Sequence, residues 1–214
     1  MPLYPQILKF IEETKPLVDG IPEERKSVLQ KISMYVAQKK AAGAKAELIF
    51  ICTHNSRRSH FGQVWSKALA AYFGFGHVLT YSGGTEATAF NQNAIKAVKA
   101  AGFKVTQSSE QLGTTNPVYE VLYGEDPKVL AFSKKYDDPP NPTNGFCAIM
   151  TCNDADENCP LIFGSELRVS TPYQDPKKFD NSPQQDEKYN ERCRQIASEL
   201  FYMYTQVKSS IMLK

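Results

Sequence analysis

The sequence predicts an α/β fold: a three-layer sandwich on a central parallel sheet, with an N-terminal helical extension and a hairpin-like insertion. Three observations predict it. Leu48-Ile49-Phe50-Ile51 is a continuous apolar run, the pattern of a strand buried on both faces. From Glu47 onward, strand-like runs alternate with helix-like ones, the rhythm of a parallel sheet with helical crossovers. A cysteine directly follows the first run, at the carboxyl edge where such sheets carry their sites.

The chain has 214 residues, enough for one sizeable core with an extension. Residues 1–45 read as the helical extension and residues 46–214 as the main domain, with the insertion at about 113–145. The formal net charge of +2 suggests neither nucleic acid nor an acidic membrane surface as partner. No apolar run approaches the ~20 residues of a membrane span, and no signal peptide is evident. Cys52, Cys147, Cys152, Cys159 and Cys193 are an odd set without a dense framework. That suits a reducing compartment, the cytoplasm, where paired thiols tend to be catalytic or redox-active.

In order, two helices precede the main domain. The second starts near Pro22, carries Glu23 and Glu24 at its positive end, and puts Val28, Leu29, Ile32, Tyr35 and Val36 on one face. This pair covers the sheet or its helices, or serves as a dimer contact or a lid. After the first strand comes a helix with Val64, Trp65, Ala68, Leu69 and Tyr72 inward. Residues 77–82 read as a second strand, Gly83-Gly84-Thr85 as a loop, and residues 91–101 as a helix. Residues 119–123 and 129–132 flank a turn and read as a β-hairpin, followed by a proline-rich loop at 138–142. Residues 146–150 are a buried strand and 167–169 a short final one. The last helix is expected to use Ser182 as N-cap with Gln185 completing a capping box. Its apolar stripe includes Cys193, which reads as core.

The chemistry concentrates in Cys52-Thr53-His54-Asn55-Ser56-Arg57-Arg58-Ser59. A tight loop between a strand and a helix N-terminus turns backbone N–H groups inward and adds the positive end of a helix dipole. That field favours a thiolate at its base, and an arginine closing the loop grips two oxygens of a tetrahedral oxyanion. A second constellation follows the strand at 146–150. Cys152 and Cys159 are separated by six residues, all polar or acidic apart from Ala155. Zinc pairs have two to four residues between ligands and need a second pair, which is absent, so no metal is expected. A transient disulfide closing a short loop remains.

Cys-x5-Arg-Ser after the first strand resembles the low-molecular-weight protein tyrosine phosphatases. The wording Cys-Thr-His-Asn-Ser-x-Arg-Ser, with a Cys-x6-Cys loop ending Cys-Pro around Asp-Ala-Asp, is more similar to the thioredoxin-coupled arsenate reductases of that superfamily. The resemblance covers residues from about Glu47 to the C-terminus, outside the insertion. It implies Cys52 as nucleophile and an oxyanion site formed by Thr53, His54, Asn55, Ser56, Arg57, Arg58 and Ser59. Asn55 would hold the loop shape and Ser59 would donate to the thiolate. Of Asp126-Pro127, Asp138-Pro139 and Asp175-Pro176, spacing selects none; the family's arrangement selects Asp175 as general acid. For arsenate, Cys152 and then Cys159 would carry a disulfide to external thioredoxin, with no bound cofactor. Two residues depart from the phosphatase pattern. Arg57 adds a second cation that strengthens anion binding or faces solvent, and His54 reads as structural or solvent-facing. Three functions stay open: arsenate reduction; hydrolysis of phosphotyrosine or a small phosphomonoester by Cys52, Arg58 and Asp175; and a non-catalytic oxyanion-binding or thiol-sensing module.

Overall fold

The computed structural model describes residues 2–108, 114–159 and 161–212. Gly113, the first residue of the expected insertion, and Pro160, after the second loop cysteine, lie outside the described residues. The elements are α1 (Pro5–Thr14), α2 (Glu23–Ala41), β1 (Ala46–Cys52), α3 (Arg58–Tyr72), β2 (Val78–Gly84), α4 (Gln92–Ala100), β3 (Lys104–Gln107), β4 (Tyr119–Leu122), β5 (Lys128–Ala131), β6 (Phe146–Met150), α5 (Asn153–Asn158), β7 (Ser165–Ser170) and α6 (Gln185–Met212).

Among the described residues, four strands form a central parallel sheet in the order β2-β1-β6-β7, flanked by helices. Side chains alternate across a strand, and here the alternation sorts the core into two clusters. Leu48, Phe50, Cys147 and Ile149 face a large cluster with Ile32 and Val36 of α2, Phe61 and Trp65 of α3, and Tyr189, Ile196 and Met203 of α6. Ile49, Ile51, Phe146, Ala148 and Met150 face a smaller one, closed by Cys152 and Ala155 at α5 and by Ile162. The two N-terminal helices belong to the large cluster through Ile7, Ile11, Leu29 and Ile32. Cys193 is buried there as read, receiving the Trp65 indole N–H at 3.1 Å, and burial pushes its thiol up to about 12.

Three local expectations are corrected. Gly83 and Gly84 are not a loop after β2 but its last two residues, paired with Ile51 and Cys52. They are small because other chain crowds them. A Cβ on Gly84 would lie 2.7 Å from the Asn55 amide nitrogen, and one on Gly83 would strike the Tyr136 backbone. The hairpin is present, but β4 also pairs antiparallel with β3, giving a second sheet in the order β3-β4-β5. β3 has four residues with only Val105 buried, too short to show a period. The last helix begins at Gln185 rather than just after Ser182. Asn181 takes a positive φ of 62° and Ser182 Oγ accepts from Gln184 N at 3.3 Å, while Gln185 reaches back to Asn181 N at 2.9 Å. The capping residues therefore build a separate turn ahead of the helix. Among the described residues, no helix is long and apolar enough to cross a membrane.

Candidate active site

β1 ends at Cys52, and α3 begins six residues later at Arg58. No side chain caps the start of α3. The first turn of a helix has N–H groups without intrahelical partners, and here they border the loop. Asn55 supplies the sharp reversal with φ 44°, a conformation Asn tolerates because its amide bonds locally.

The orientation of the Asn55 amide behind Cys52 follows from its neighbours. Asn55 Oδ1 accepts from the Lys134 backbone N–H at 3.0 Å, so its Nδ2 is the end that donates to Ser59 Oγ at 2.8 Å. Ser59 Oγ lies 3.1 Å from Cys52 Sγ, where its proton can be given to the sulfur when that is a thiolate. The nucleophile candidate thus sits at the end of a relay that starts in residues 133–136, after the second sheet. Those residues strap the loop from behind. Ser133 Oγ donates to His54 O at 2.9 Å and accepts from Thr88 N at 2.7 Å, and Asn116 holds Ser133 by both its N–H and its carbonyl. Gly84 N donates to Lys134 O, and Tyr136 N donates to Gly84 O. The Lys134 ammonium is buried near the Phe132 ring, 4.5 Å from its centroid, and burial lowers it to about 8.

Arg58 is buried, with Nη1 on Tyr173 O at 2.9 Å and Nη2 on Asp175 Oδ2 at 2.7 Å. The other Asp175 oxygen accepts from Lys177 N at 3.0 Å and caps a short 3₁₀ turn, Pro176–Phe179. Of the three Asp-Pro aspartates, Asp175 is the one in contact with the loop arginine. Asp126 is exposed in the β4–β5 turn, and Asp138 accepts from Lys135 N. Arg57 does not face solvent. Its Nε donates to Tyr189 Oη at 2.8 Å, and its Nη2 lies 3.5 Å from Asp180, to which Tyr189 also donates at 2.7 Å. The guanidinium also reaches within 4.0 Å of Asp175. His54 is 46% exposed, with Nε2 3.6 Å from Glu86. Ser56 Oγ donates to Ala89 O at 2.7 Å, and Thr53 O accepts from Glu86 N at 2.8 Å.

Thr53 also links the loop to the second constellation: its Oγ1 lies 3.4 Å from Cys152 Sγ. Cys152 is 1% exposed and shares the smaller apolar cluster with Cys52. Cys159 is half-buried at the other end of α5, and both thiols are free. Between the loop and α5 opens a cleft of about 340 Å³, lined by Arg58, Asn153, Asp154, Gln174, Asp175 and Lys178 among others. Its lining is mainly polar, with Pro172 and Tyr173 as its apolar part. Tyr173, a candidate wall for an aromatic substrate, is buried; its hydroxyl donates to Glu199 at 2.9 Å and the Arg25 guanidinium lies 5.2 Å from its ring.

Three groups escaped the sequence reading. Ser133 and Lys134 lay in irregular chain with no motif. Arg168, which bonds the end of α5, read as part of a short strand. His60 follows the loop directly, the one available signal. It is fully buried, stacked on Phe90 at 4.1 Å, and burial lowers it to about 3, so it is neutral. Among the described residues, no group of three or more His, Cys, Asp or Glu side chains could hold a metal ion.

No family model matches the chain. It is 28% identical over 132 residues to arsenate reductase 2 of Staphylococcus epidermidis, covering 62% of this chain and 79% of that protein. Against the arsenate reductase of Bacillus licheniformis it is 26% identical over 151 residues, 71% of this chain and 88% of the relative. The crystal structure of a YwlE mutant from Bacillus subtilis superposes with a TM-score of 0.52 over 77% of this chain and 99% of that one, at 14% identity.

Proposed function

We propose that this chain, an enzyme of the low-molecular-weight phosphatase-like superfamily with sequence affinity to arsenate reductases, reduces arsenate through a relay of Cys52, Cys152 and Cys159. The observation that carries the reading is the second thiol: Cys152 is buried against Thr53, the residue after Cys52. In phosphoester hydrolysis a thiol there would be a spectator or a redox guard.

Arsenate enters the cleft and takes the Arg58 guanidinium from Asp175. Cys52 thiolate attacks arsenic, while Arg58 and the backbone amides of residues 53–59 meet the charge on its oxygens. Asp175, released from the guanidinium, takes a proton from solvent and gives it to the departing hydroxyl, which leaves as water. Cys152 thiolate then attacks the Cys52 sulfur. The As–S electron pair stays on arsenic, which departs as arsenite and leaves a Cys52–Cys152 disulfide. Cys159 thiolate attacks Cys152, frees Cys52 and forms Cys152–Cys159, which the dithiol of thioredoxin reduces. The net change is one arsenate and one dithiol to arsenite, water and a disulfide. Such chemistry belongs in a reducing compartment, the cytoplasm. In this scheme Asn55 and Ser59 hold the loop and the thiolate, Thr53 and Ser56 shape the cradle, and Arg57 and His54 frame it from outside.

The alternative is hydrolysis of a phosphomonoester through phospho-Cys52, for which Cys52, Arg58 and Asp175 suffice. Tyr173 and Pro172 are the apolar part of a mainly polar cleft, a narrow wall for a phosphotyrosine ring. The Asp175–Arg58 contact weighs against a purely anion-binding module. The deciding assay offers arsenate with thioredoxin, thioredoxin reductase and NADPH, beside an aryl phosphate. The relay requires that Cys159→Ser stop after a single turnover on arsenate. Sustained turnover by that variant, equal to the parent's, would sink it.

A further inference from the structure

α5 separates the two loop cysteines by six residues. At 1.5 Å rise per residue their Cα atoms stand about 10 Å apart along a helix, whereas a disulfide needs them within about 7 Å. A Cys152–Cys159 bond therefore requires α5 to open. So short a helix has little stability of its own and persists through tertiary contacts.

The N-terminal half of α5 is seated by Ala155 in the smaller apolar cluster, and polar contacts at its C-terminal end converge on one side chain of β7. Arg168 Nη2 donates to Asp156 O at 2.8 Å and to Cys159 O at 3.0 Å, and lies 2.6 Å from Asp156 Oδ1. Ser170, two residues on in the same strand, donates to Asp156 Oδ2 at 2.6 Å. The last carbonyls of a helix lack intrahelical donors; here a guanidinium supplies them, with the favourable sign at the negative end of the dipole. One arginine thus closes the final turn of α5, fixes the backbone of Cys159 and neutralises Asp156.

We propose that Arg168 is a positioning residue, a latch that keeps α5 helical and Cys159 away from Cys152, so that its release sets the rate of disulfide formation. The inference deepens the relay reading by naming what regulates its second thiol exchange. Neither Arg168 nor Asp156 contacts Cys52 or Arg58 in any of these bonds, so the latch acts on the loop and not on the oxyanion.

The test uses a Cys52→Ser background, so that Cys152 has only Cys159 as partner. Diamide is the oxidant: the two thiols give up two protons and two electrons to its N=N bond, and one S–S bond forms. Formation of Cys152–Cys159 is followed by peptide mass spectrometry, with alkylation of the core thiols Cys147 and Cys193 as the gauge of general unfolding. Arg168→Ala is expected to accelerate the disulfide about tenfold, the scale of one charge-assisted contact set, with Cys147 and Cys193 as protected as in the parent. Arg168→Lys, which keeps the charge without the fork, should fall between. Ser170→Ala, a milder change, should accelerate it less. Equal rates in the parent, Arg168→Ala and Ser170→Ala overturn the latch. So does an acceleration matched by equal exposure of Cys147 and Cys193. The assay uses neither arsenate nor thioredoxin, so failure to turn over arsenate would strike the reduction reading and leave this result standing.

Discussion

Arg58 Nη2 and Asp175 Oδ2 are 2.7 Å apart, so the anion clamp and the acid candidate hold each other when no oxyanion lies between them. The pair keeps the guanidinium oriented, since its other nitrogen is fixed on the Tyr173 carbonyl. In the proposed reaction an incoming oxyanion takes Nη2 from the carboxylate together with Nε, which has no partner among the described residues, and so gains the bidentate contact that the single Asp175 bond leaves unused. In the same scheme the displaced Asp175 is the carboxyl that serves the leaving-group side.

Asp175→Asn should separate these two roles. It preserves a hydrogen-bond acceptor for Arg58 and removes the acid. The expected result is a fall in kcat of about 10² to 10³, within the range for general acid catalysis, with KM for the oxyanion unchanged or lower. Steady-state kinetics on arsenate and on an aryl phosphate with a good leaving group check this; the aryl phosphate should suffer least, because its leaving group departs without a proton. An equal loss on all substrates with a raised KM would assign Asp175 to binding.

Ser133→Ala should loosen the anion loop from a distance. Its hydroxyl ties His54 O to Thr88 N across the back of the loop. Losing both bonds should weaken inhibition by inorganic phosphate between about fivefold and thirtyfold, at roughly 1 kcal/mol for each net hydrogen bond. Titration of phosphate against Cys52 alkylation measures the effect without turnover. Unchanged protection by phosphate would show that the loop holds its shape without the strap.

His60 makes a pH prediction. Its imidazole is lowered to about 3 in the folded chain, first by burial and then by the charge of Lys134. A depressed folded value means that the unfolded chain binds the extra proton between about pH 6.5 and 3. The stability that goes with it is complete above about pH 6.5 and is lost as pH falls through that window. Between pH 8 and pH 5 the loss from this one group is about 2 kcal/mol. Urea unfolding of the parent and His60→Gln at both pH values checks it. The difference between pH 8 and pH 5 should shrink in the variant, and an identical difference in both proteins would be against the assignment.

The site divides by how far apart in sequence its parts lie. Cys52, Asn55, Arg58 and Ser59 lie within one stretch of eight residues, and a strand, a tight loop and a helix start leave a recognisable trace of spacing and polarity. Cys152 and Cys159 show as a pair at another strand's end for the same reason. Asn55 and Lys134 are 79 positions apart, and no local pattern joins them. The Ser133–Tyr136 strap is irregular chain, so period and propensity had nothing to register. Gly83 and Gly84 look like a turn in sequence because glycine is permissive in turns. In space they are a strand end, and their smallness admits the neighbouring backbone of Asn55 and Tyr136.

The sequence by itself determined the parallel α/β framework, the loop with Cys52 at its base and Arg58 at its rim, and the second thiol pair. Each of these is written in residues near one another, where backbone geometry follows local pattern. Only the tertiary structure decided which aspartate meets Arg58, where the Arg57 guanidinium goes, what braces the loop from behind, and which side chain meets the end of α5. Each of those depends on side chains from distant elements reaching within hydrogen-bond distance, and that is set by how the sheet and its helices pack.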